Sequence, residues 1–478
     1  MPKDIALQEY QTLRQRHFDQ LADILEAWKG WGGYYRKRVQ HIYQFLIPSG
    51  SRVLEIGSGR GNLLAAVKPS YGLGIDLSLK MVAAATRLHP DLQFRQGDIH
   101  NLKLNEKFEF IILSDVINDL WDVELALKNI VKLTNPSTRL IINYFNHLWE
   151  WPLGIAKGLN LATPTMEQNW LSAEDTNNLL RLADFEVIRT WEEVLCPLPV
   201  PLVAPLCNRF LVKLFPFRAF AMTRFTLARP DPALFKHERK YAVSVVVPAR
   251  NEAGNIAAIF KRTPQMGSRT EIIFIEGHSK DDTRVEIQKQ IKKHPQRKSI
   301  LLDQKGTGKG DAVRTGFAKS SGDVLMVLDA DLTVPPEDLT RFYDALVKGK
   351  GDFINGVRLV YPMEKRAMRF LNLIGNKFFS TIFSYLLGQP IKDTLCGTKV
   401  LWKSDYKKIV NNRAYFGDFD PFGDYDLIFG AAKLNLKIVD MPIRYRERTY
   451  GTTNIERWKH GWLLLRMVVF AAKRLKFM

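Results

Sequence analysis

Residues 323–339 read DVLMVLDADLTVPPEDL, an apolar run that ends in two carboxylates, Asp329 and Asp331. The run is typical of a buried strand, and two neighbouring anions at its end repel each other unless a cation lies between them. Residues two apart on an extended strand point the same way, so we predict that both carboxylates bind one hard cation, Mg²⁺ or Mn²⁺. The alternative is an acidic turn that begins the next helix, although Glu337 and Asp338 already provide that signal.

This strand belongs to an α/β pattern that covers the second half of the chain. Its other predicted strands are VSVVVP (243–248), EIIFIEG (271–277) and SILLD (299–303). Strands that alternate with helical segments predict a parallel sheet, and ligands of such sheets bind at the carboxyl ends of the strands. The predicted strand ends and the segments that follow them carry Pro248, Arg250, Glu252, Glu276, Lys305 and Arg314.

The first half of the chain shows the same alternation, so we predict two α/β domains in series. Its strands are SRVLEIG, YGLGID, LQFRQGD, FEFIILSD and TRLIINYF, and AFAMTRFTLA (219–228) closes the sheet. The segment RPDPALFKHERK (229–240) is polar, contains two prolines and is predicted to be a linker. The predicted domains are therefore residues 1–228 and 241–478, and two domains are the expectation for a chain of 478 residues.

A glycine-rich loop follows the first strand and opens a helix. It begins at Glu55 and contains Gly57, Gly59 and Gly61. Glycines let the backbone turn tightly and approach a ligand, and the helix N-terminus attracts an anion. Carboxylates also end the next three strands, at Asp76, Asp98 and Asp115. The alternative is that the glycines serve only a tight turn between strand and helix.

About residues 30–230 resemble a class I S-adenosylmethionine-dependent methyltransferase, because an acid precedes G-x-G-x-G at the end of the first strand. The third glycine comes one residue too early for the G-x-G-x-x-G of dinucleotide enzymes. The resemblance implies S-adenosylmethionine as cofactor, with its methionine part on Glu55 and the glycines, its ribose at Asp76 and its adenine at Asp98. Asp115 completes this predicted cofactor site. The residues do not identify the methyl acceptor. The candidate bases at the edge of the pocket are Asn118, Asp119, Tyr144, Asn146 and His147.

About residues 241–478 resemble an inverting family 2 glycosyltransferase of the GT-A type. The motifs are P-x-x-N-E after the first strand, an acidic turn after the second and D-x-D after the fourth. The segments GVRLVYPMEKRAMRFLNLIGNKFFS, DTLCGTKVL and RERTYGTTN look most like polyprenyl-phosphate sugar transferases related to dolichyl-phosphate mannose synthase. This resemblance implies a polyprenyl phosphate acceptor. It also implies a nucleotide-sugar donor bound by Pro248, Arg250, Glu252, Glu276, Lys305, Arg314, Asp329, Arg448 and Thr452.

Two motifs depart from the family pattern. The turn Glu276-Gly277-His278-Ser279 replaces the usual D-D-G-S, so UDP and GDP sugars both remain open as donors. Asp424 matches the aspartate of E-D-x-D-L that deprotonates an acceptor hydroxyl, and we predict it to be the general base. The alternative is that Asp424 and Asp426 cap the next helix, because a lipid phosphate is already ionised and needs no base.

The formal charge of +19 predicts an acidic partner. Residues 364–388 and 457–478 mix cations with apolar and aromatic side chains, which predicts binding to an anionic membrane surface; the alternative is two core-packed helices. Cations spread over both halves argue against nucleic acid as the partner.

The N-terminal residues lack the apolar core of a signal peptide, and the three cysteines form no disulfide framework. We therefore expect a cytoplasmic protein, with the inner face of the membrane as its working location.

These features predict a bifunctional enzyme that transfers a methyl group with its first domain and a sugar with its second. One alternative is a soluble glycosyltransferase with a small-molecule or protein acceptor, in which the methyltransferase-like domain is regulatory. Another alternative is a nucleic-acid methyltransferase, which leaves the Asp329 and Asp331 pair unexplained.

Overall fold

The computed structural model describes residues 3–27, 32–159, 162–235, 239–361, 370–416, 423–448, 450 and 457–478. The chain divides into two compact units after Phe235. This boundary lies inside the segment 229–240 that the sequence predicts as a linker. Each unit is built on its own seven-stranded sheet, so the prediction of two α/β domains is confirmed.

The strands of the first unit form a mixed sheet in the order β3-β2-β1-β4-β5-β7-β6. They are β1 Arg52–Ile56, β2 Tyr71–Asp76, β3 Gln93–Gln96, β4 Phe110–Ser114, β5 Arg139–Phe145, β6 Phe185–Glu193 and β7 Thr223–Pro230. The first five are parallel, as predicted, but β7 is antiparallel to both β5 and β6. The sheet is therefore mixed at this edge, where antiparallel neighbours need no crossover helix.

Helices cover the faces of this first sheet. They are α1 Lys3–Ala27, α2 Gly32–Leu46, α3 Asn62–Ala66, α4 Leu79–Leu88, α5 Val123–Val131, α6 Glu150–Gly158, α7 Ala173–Leu182 and α8 Val203–Arg209. Local sequence sets several starts: Ser78 accepts a hydrogen bond from the Met81 N–H at the start of α4, and Ser172 forms a capping box with Asp175 on α7.

The core of the first unit lies on both faces of its central strands. In β4, Ile111 and Leu113 belong to the apolar cluster on one face, whereas Phe110 and Ile112 belong to the cluster on the other. This alternation explains why the strand reads as a continuous apolar run. Strand β7 extends two residues into the predicted linker, because Arg229 is buried and pairs with Glu186 at 2.8 Å.

The second unit also has a mixed sheet, in the order β10-β9-β8-β11-β13-β12-β14, with β13 antiparallel to β11 and β12. Its strands are β8 Val243–Ala249, β9 Thr270–Glu276, β10 Ser299–Asp303, β11 Val324–Val327, β12 Phe353–Val357, β13 Lys399–Trp402 and β14 Ile438–Pro442. Strand β11 ends at Val327, so Asp329 and Asp331 lie in the turn that follows it rather than on the strand itself.

Nine helices accompany this sheet in the part of the chain that the structure describes. They are α9 Ala253–Arg262, α10 Thr283–Lys293, α11 Gly308–Lys319, α12 Leu339–Val347, α13 Phe370–Leu387, α14 Lys403–Asn411, α15 Arg413–Phe416, α16 Tyr425–Lys433 and α17 Arg457–Ala471. Helix α13 packs on α17. The first residues of the basic segment 364–388 lie outside the described residues. Among the residues that the structure describes, no helix has the length and apolar character needed to cross a membrane.

Candidate active sites

The glycine-rich loop of the first unit turns from β1 into α3 with three left-handed residues. Gly57, Gly59 and Gly61 have φ of 70°, 49° and 73°. A side chain at Gly57 would overlap Val116, and one at Gly61 would overlap the Phe94 ring. Glycine is therefore required here both for the backbone conformation and for the close packing around the loop.

Glu55 and Ser58 bring unpartnered polar atoms to this loop. Both side chains are buried, and neither Glu55 Oε2 nor Ser58 Oγ has a hydrogen-bond partner. Burial raises the pKa of Glu55 well above its usual range. Buried polar atoms without partners are costly, so these two atoms suit a ligand that brings hydrogen-bonding groups to them.

Two of the predicted cofactor-binding acids already hold structural hydrogen bonds. Asp76 accepts from the Gly59 N–H at 2.7 Å and the Ser78 N–H at 2.9 Å, so it fixes the glycine loop. Asp98 accepts from His100 Nδ1 at 2.7 Å and from Gln11 Nε2. Burial alone would raise the pKa of Asp98, but the hydrogen bonds from His100 outweigh it and lower the pKa.

A cavity of about 390 Å³ lies over these residues at the carboxyl edge of the sheet. Its walls include the glycine loop with Glu55 and the three acids at Asp76, Asp98 and Asp115. Helix α1 covers it with Tyr10, Gln11, Arg14 and Phe18. The position of α1 over the cavity was not predicted, because nothing local in its sequence specifies its tertiary contacts.

Asp115 is a half-buried carboxylate in the cavity wall, held directly after β4 with φ of 56°. It accepts hydrogen bonds from Tyr35 Oη at 2.9 Å and from Asn143 Nδ2 at 2.7 Å. Asn143 is fixed in turn by Tyr43 Oη at 2.8 Å. Burial raises the pKa of Asp115 to about 7, so this carboxylate can exchange a proton near neutral pH.

Of the five candidate bases for methyl transfer, Asp119 lines the cavity and the other four do not. Asn118 Nδ2 donates to the Asn169 carbonyl, and Asn146 Nδ2 donates to the carbonyls of residues 219 and 221, so both are structural. Tyr144 is buried in the sheet and His147 is exposed. Asp119 is paired with Arg14 of α1.

In the second unit, the two aspartates after β11 are paired with cations of the chain itself. Lys309 Nζ lies 2.6 Å from Asp329 Oδ1, and Arg448 Nη2 lies 2.8 Å from Asp331 Oδ2. Arg448 also contacts Glu252 at 3.2 Å. Each aspartate therefore pairs with a cationic side chain of its own, and the shared divalent cation stays a prediction.

Lys309 pairs with Asp329 and also lies within range of the charge of the predicted base Asp424. Burial lowers the pKa of Lys309, but the charges of Asp329 and Asp424 outweigh it and raise the pKa. The buried Lys399 also lies near Asp424, with 3.8 Å between Nζ and Oδ1. Gly397 permits this packing, because a Cβ there would overlap the Asp329 carboxylate and the Lys309 ammonium.

Asp424 stands at the N-cap position of α16, but its side chain makes no capping hydrogen bond. Asp426, inside the first turn, pairs instead with Arg413 at 2.7 Å. The capping alternative therefore has no geometric support for Asp424. Its carboxylate lies among cations, where it can interact with an acceptor.

The loops after β8 and β9 are tied to each other. Glu276 accepts from the backbone N–H of Ser279 at 2.6 Å and of His278 at 3.2 Å, so its carboxylate closes its own turn. Glu252 accepts from Asn255 Nδ2 at 2.7 Å, and burial raises its pKa to about 7 although Arg448 opposes this shift. Asn251 Oδ1 accepts from the Lys280 N–H, which joins the two loops.

The remaining predicted donor-binding residues are scattered around this edge. Pro248 lies near the end of β8, and Arg250 and Lys305 are exposed. Arg314 lies on α11, where a side chain at Gly310 would meet its guanidinium. Thr452 lies outside the described residues. The sequence patterns did not predict Lys309 as a site residue. The repeated lysines of KGTGKG were the only signal for it.

The two halves of the chain match different protein families. Residues 31–190 match the model of a methyltransferase domain, and residues 244–410 match that of glycosyl transferase family 2. A solved S-adenosylmethionine-dependent methyltransferase from Thermotoga maritima superposes with a TM-score of 0.37 at 18% identity, over 45% of this chain and 98% of its own.

Several curated proteins are similar to about half of this chain. Glycosyltransferase AglJ of Haloferax volcanii is 28% identical over 47% of this chain and 69% of its own length. Polyprenol monophosphomannose synthase of Mycolicibacterium smegmatis is 26% identical over 48% of this chain and 85% of its own. For an undecaprenyl-phosphate 4-deoxy-4-formamido-L-arabinose transferase of Edwardsiella ictaluri, the identity is 23% over 44% of this chain and 61% of that protein.

Proposed function

We propose that this chain, which joins a methyltransferase domain to a family 2 glycosyltransferase domain, is a bifunctional transferase that works at a membrane surface. The second unit transfers a sugar, with inversion, from a UDP or GDP sugar to a polyprenyl phosphate. The first unit transfers a methyl group from S-adenosylmethionine. The observation that carries the proposal is the cluster of three ion pairs, Lys309–Asp329, Arg448–Asp331 and Lys399–Asp424, in which the charge of Asp424 also acts on Lys309.

Asp329 and Asp331 are the proposed ligands of a divalent ion, since Mg²⁺ and Mn²⁺ prefer carboxylate oxygens. Among the described residues, no group of three or more His, Cys, Asp or Glu side chains is arranged to hold a metal. The pair fits a site whose other ligands are donor phosphates and water. A bound ion would supply positive charge to the leaving diphosphate.

Lys309 and Arg448 are the proposed contacts of the donor diphosphate. Both are paired with the aspartates, so they lie beside the same expected phosphate position. A cationic side chain such as Lys309 or Arg448 forms stronger hydrogen bonds with phosphate oxygens than a neutral side chain does. Glu252 restrains Arg448 from the other side and thereby limits its rotamers.

Asp424 is the proposed base when the acceptor is a hydroxyl. A polyprenyl phosphate is already ionised, so with that acceptor Asp424 only positions Lys309 and Lys399. We expect Asp424→Asn to lose about 100-fold in turnover with an alcohol acceptor and far less with a phosphate acceptor. Equal losses with both acceptors would contradict a role as base.

Methyl transfer is assigned to the cavity of the first unit. The unpartnered Glu55 Oε2 and Ser58 Oγ fit a cofactor that carries an amino group and hydroxyls, and S-adenosylmethionine would supply an activated methyl group there. Asp115 is the proposed proton acceptor, because it lines the cavity and its hydrogen bonds from Tyr35 and Asn143 fix its orientation. The methyl acceptor would lose its proton to Asp115.

The membrane location is supported by helices α13 and α17. Each shows an exposed apolar stripe, with Ile374 and Phe378 on α13 and Trp462, Leu465 and Val469 on α17. The helices also pack on each other, so each has one packed face and one exposed face. An exposed apolar stripe beside cations is typical of binding at a lipid interface.

The test is sugar transfer by the purified full chain to a short polyprenyl phosphate, with UDP and GDP sugars in parallel and with Mg²⁺, Mn²⁺ or a chelator. We expect a glycolipid that forms only with metal, that is absent for Asp331→Ala, and that is retained for the exposed control Asp344→Ala. Transfer to a soluble alcohol or a protein but not to the lipid would contradict the proposed acceptor.

A further inference from the structure

The first unit exposes large apolar side chains on two neighbouring segments, α6 and residues 195–222. The most exposed are Trp151 at 82%, Leu202 at 87% and Phe215 at 81%. Ile155, Leu159 and Phe220 are each at least 59% exposed. We call these six residues the apolar rim. Soluble proteins rarely leave this much apolar surface in contact with water unless it binds something.

The two segments of the apolar rim are joined into one surface. Trp149 Nε1, just before α6, donates to the Phe220 carbonyl at 2.9 Å. Asn146 Nδ2 donates to the carbonyls of Ala219 and Ala221, both at 3.1 Å. These bonds fix the start of α6 against the end of the segment 195–222.

The rim is built on an ordered base rather than on a loose loop. Asn208 Oδ1 accepts from the backbone N–H of Leu195 at 2.7 Å and of Cys196 at 2.8 Å, and Lys213 is buried in a pair with Glu193. Within the segment, the side chains of Ala204 and Val212 are buried. The exposed side chains therefore point outward from a fixed backbone.

The rim lies at the edge of the sheet that also holds the cofactor cavity. Strand β5 ends at Phe145, which pairs with Thr223 at the start of β7, and Thr223 pairs with Glu193 at the end of β6. Both segments leave the sheet at this carboxyl edge, where Ser114 and Asp115 end β4. A molecule bound along the rim is therefore on the same side as the methyl-transfer cavity.

The charge of the rim favours an anionic partner. Residues 195–222 contain Arg209, Lys213 and Arg218 and no aspartate or glutamate, and Arg209 and Arg218 are exposed. On α6, Glu150 is balanced by Lys157. Exposed Trp, Phe and Leu side chains beside arginines are typical of surfaces that lie at the lipid interface.

We propose that the apolar rim docks the first unit on an anionic bilayer, with Trp151, Leu202 and Phe215 inserted among the lipids, so that the methyl acceptor is reached at the membrane. A bilayer fits better than a protein partner, because side chains more than four-fifths exposed protrude singly and offer no groove. This inference rests on the proposed methyl transfer and adds the class of its acceptor, a lipid-borne molecule.

The test is flotation of the full chain with vesicles of phosphatidylcholine, with and without phosphatidylglycerol. The rim variant is Trp151→Ser, Leu202→Ser and Phe215→Ser together. The control is Leu79→Ser, Leu182→Ser and Val285→Ser, which removes apolar side chains that are also exposed but lie elsewhere. We expect the rim variant to bind anionic vesicles at least about tenfold more weakly than the wild type and the control.

Two further measurements keep the proposal falsifiable. Brominated lipids should quench the fluorescence of the wild type more than that of Trp151→Phe, and equal quenching would overturn insertion of Trp151. Light scattering that shows dissociation of an oligomer by the rim variant, with vesicle binding unchanged, would instead make the rim a contact between copies. Sugar transfer to detergent-dispersed polyprenyl phosphate should be the same in the rim variant and in the wild type. Absence of this transfer in the wild type would contradict the proposed sugar transfer and not the proposal about the rim.

Discussion

Lys309 pairs with Asp329 and lies within range of the charge of Asp424, and we expect its role to depend on which carboxylate is compensated by another ion. We expect Lys309→Ala to lower sugar transfer about 100-fold, because a cation at the diphosphate is lost. The same variant should need less Mn²⁺ for half-maximal rate, because Asp329 no longer has a competing partner. Titration of activity with Mn²⁺ measures both effects.

The control for Lys309 lies on the same helix. Lys319 is exposed at the end of α11, and Lys319→Ala should change neither the rate nor the Mn²⁺ requirement. A higher Mn²⁺ requirement in Lys309→Ala would show that the lysine assists the ion rather than competes with it.

Asp115 predicts a pH dependence for the methyl-transfer half. Because burial raises its pKa to about 7, the proton-accepting carboxylate form is scarce below that pH and dominant above it. Methyl transfer should therefore rise with pH and level off above about 7, whereas Asp115→Asn should be at least about 100-fold slower and lack this inflection. Release of S-adenosylhomocysteine with a lipid extract as acceptor gives the profile.

An exposed acid serves as the control for that profile. Asp91 is exposed in the loop before β3, and Asp91→Asn should keep the wild-type rate and inflection. An unchanged inflection in Asp115→Asn would assign the titration to another group, and Asp119 would then be the next candidate.

At the scale of single residues, the sequence was informative where strand ends carry acids. Asp115 and Asp329 were found because both follow apolar runs. Their partners were not found, since Tyr35 and Lys309 are distant in the chain and only the fold brings them near. Lys305 and Lys309 are equivalent in the sequence, but Lys305 lies exposed before α11 whereas Lys309 lies on the helix and contacts Asp329.

At the scale of elements, α1 restrains access to the cofactor cavity through polar contacts with the next layer. Asp19 accepts from Ser78 Oγ, and Asp23 pairs with Lys80 at 2.6 Å. We expect Asp19→Asn with Asp23→Asn to speed the release of S-adenosylmethionine about tenfold, because the polar contacts that hold α1 over the cavity are lost. Stopped-flow dissociation and hydrogen exchange in α1 measure the change.

A matched variant on the same helix separates closure from general destabilisation. Glu9 is exposed on α1, so Glu9→Gln should leave both the release rate and the hydrogen exchange as in the wild type. Release unchanged in the double variant would mean that α1 does not gate the cavity.

The strand pattern predicted β1 to β5, the closing strand β7 and β8 to β11, but it predicted neither the antiparallel direction of β7 nor strand β13. Strands β6 and β13 carry no distinctive period in the sequence: β6 is half-buried along most of its length, and β13 is a short segment of four residues. Pairing partners distant in the chain decided their direction, as between β13 and β11. Helix α1 illustrates the same point, since its amphipathic pattern is weak and its position depends on contacts with the cavity.

At the scale of the whole molecule, the charge of +19 predicts a salt-sensitive attachment to membranes. Binding to vesicles with phosphatidylglycerol should fall at least about tenfold between low salt and 1 M NaCl, because screening removes about 1 kcal/mol for each surface Lys or Arg. Binding to pure phosphatidylcholine should change little over the same range. Flotation across a salt series measures both, and a salt-independent affinity for the anionic vesicles would contradict the electrostatic part.

The connection between β6 and β7 leaves the sheet from one antiparallel strand and returns on its neighbour, with the pairing fixed from Phe185–Pro230 to Glu193–Thr223. Because the cost of closing a loop grows slowly with its length, this connection can be lengthened, shortened or replaced without re-registering the sheet. It also leaves the residues of the cofactor loop untouched. The surface at this edge can therefore change through a single segment, while the sheet and the glycine-rich loop stay the same.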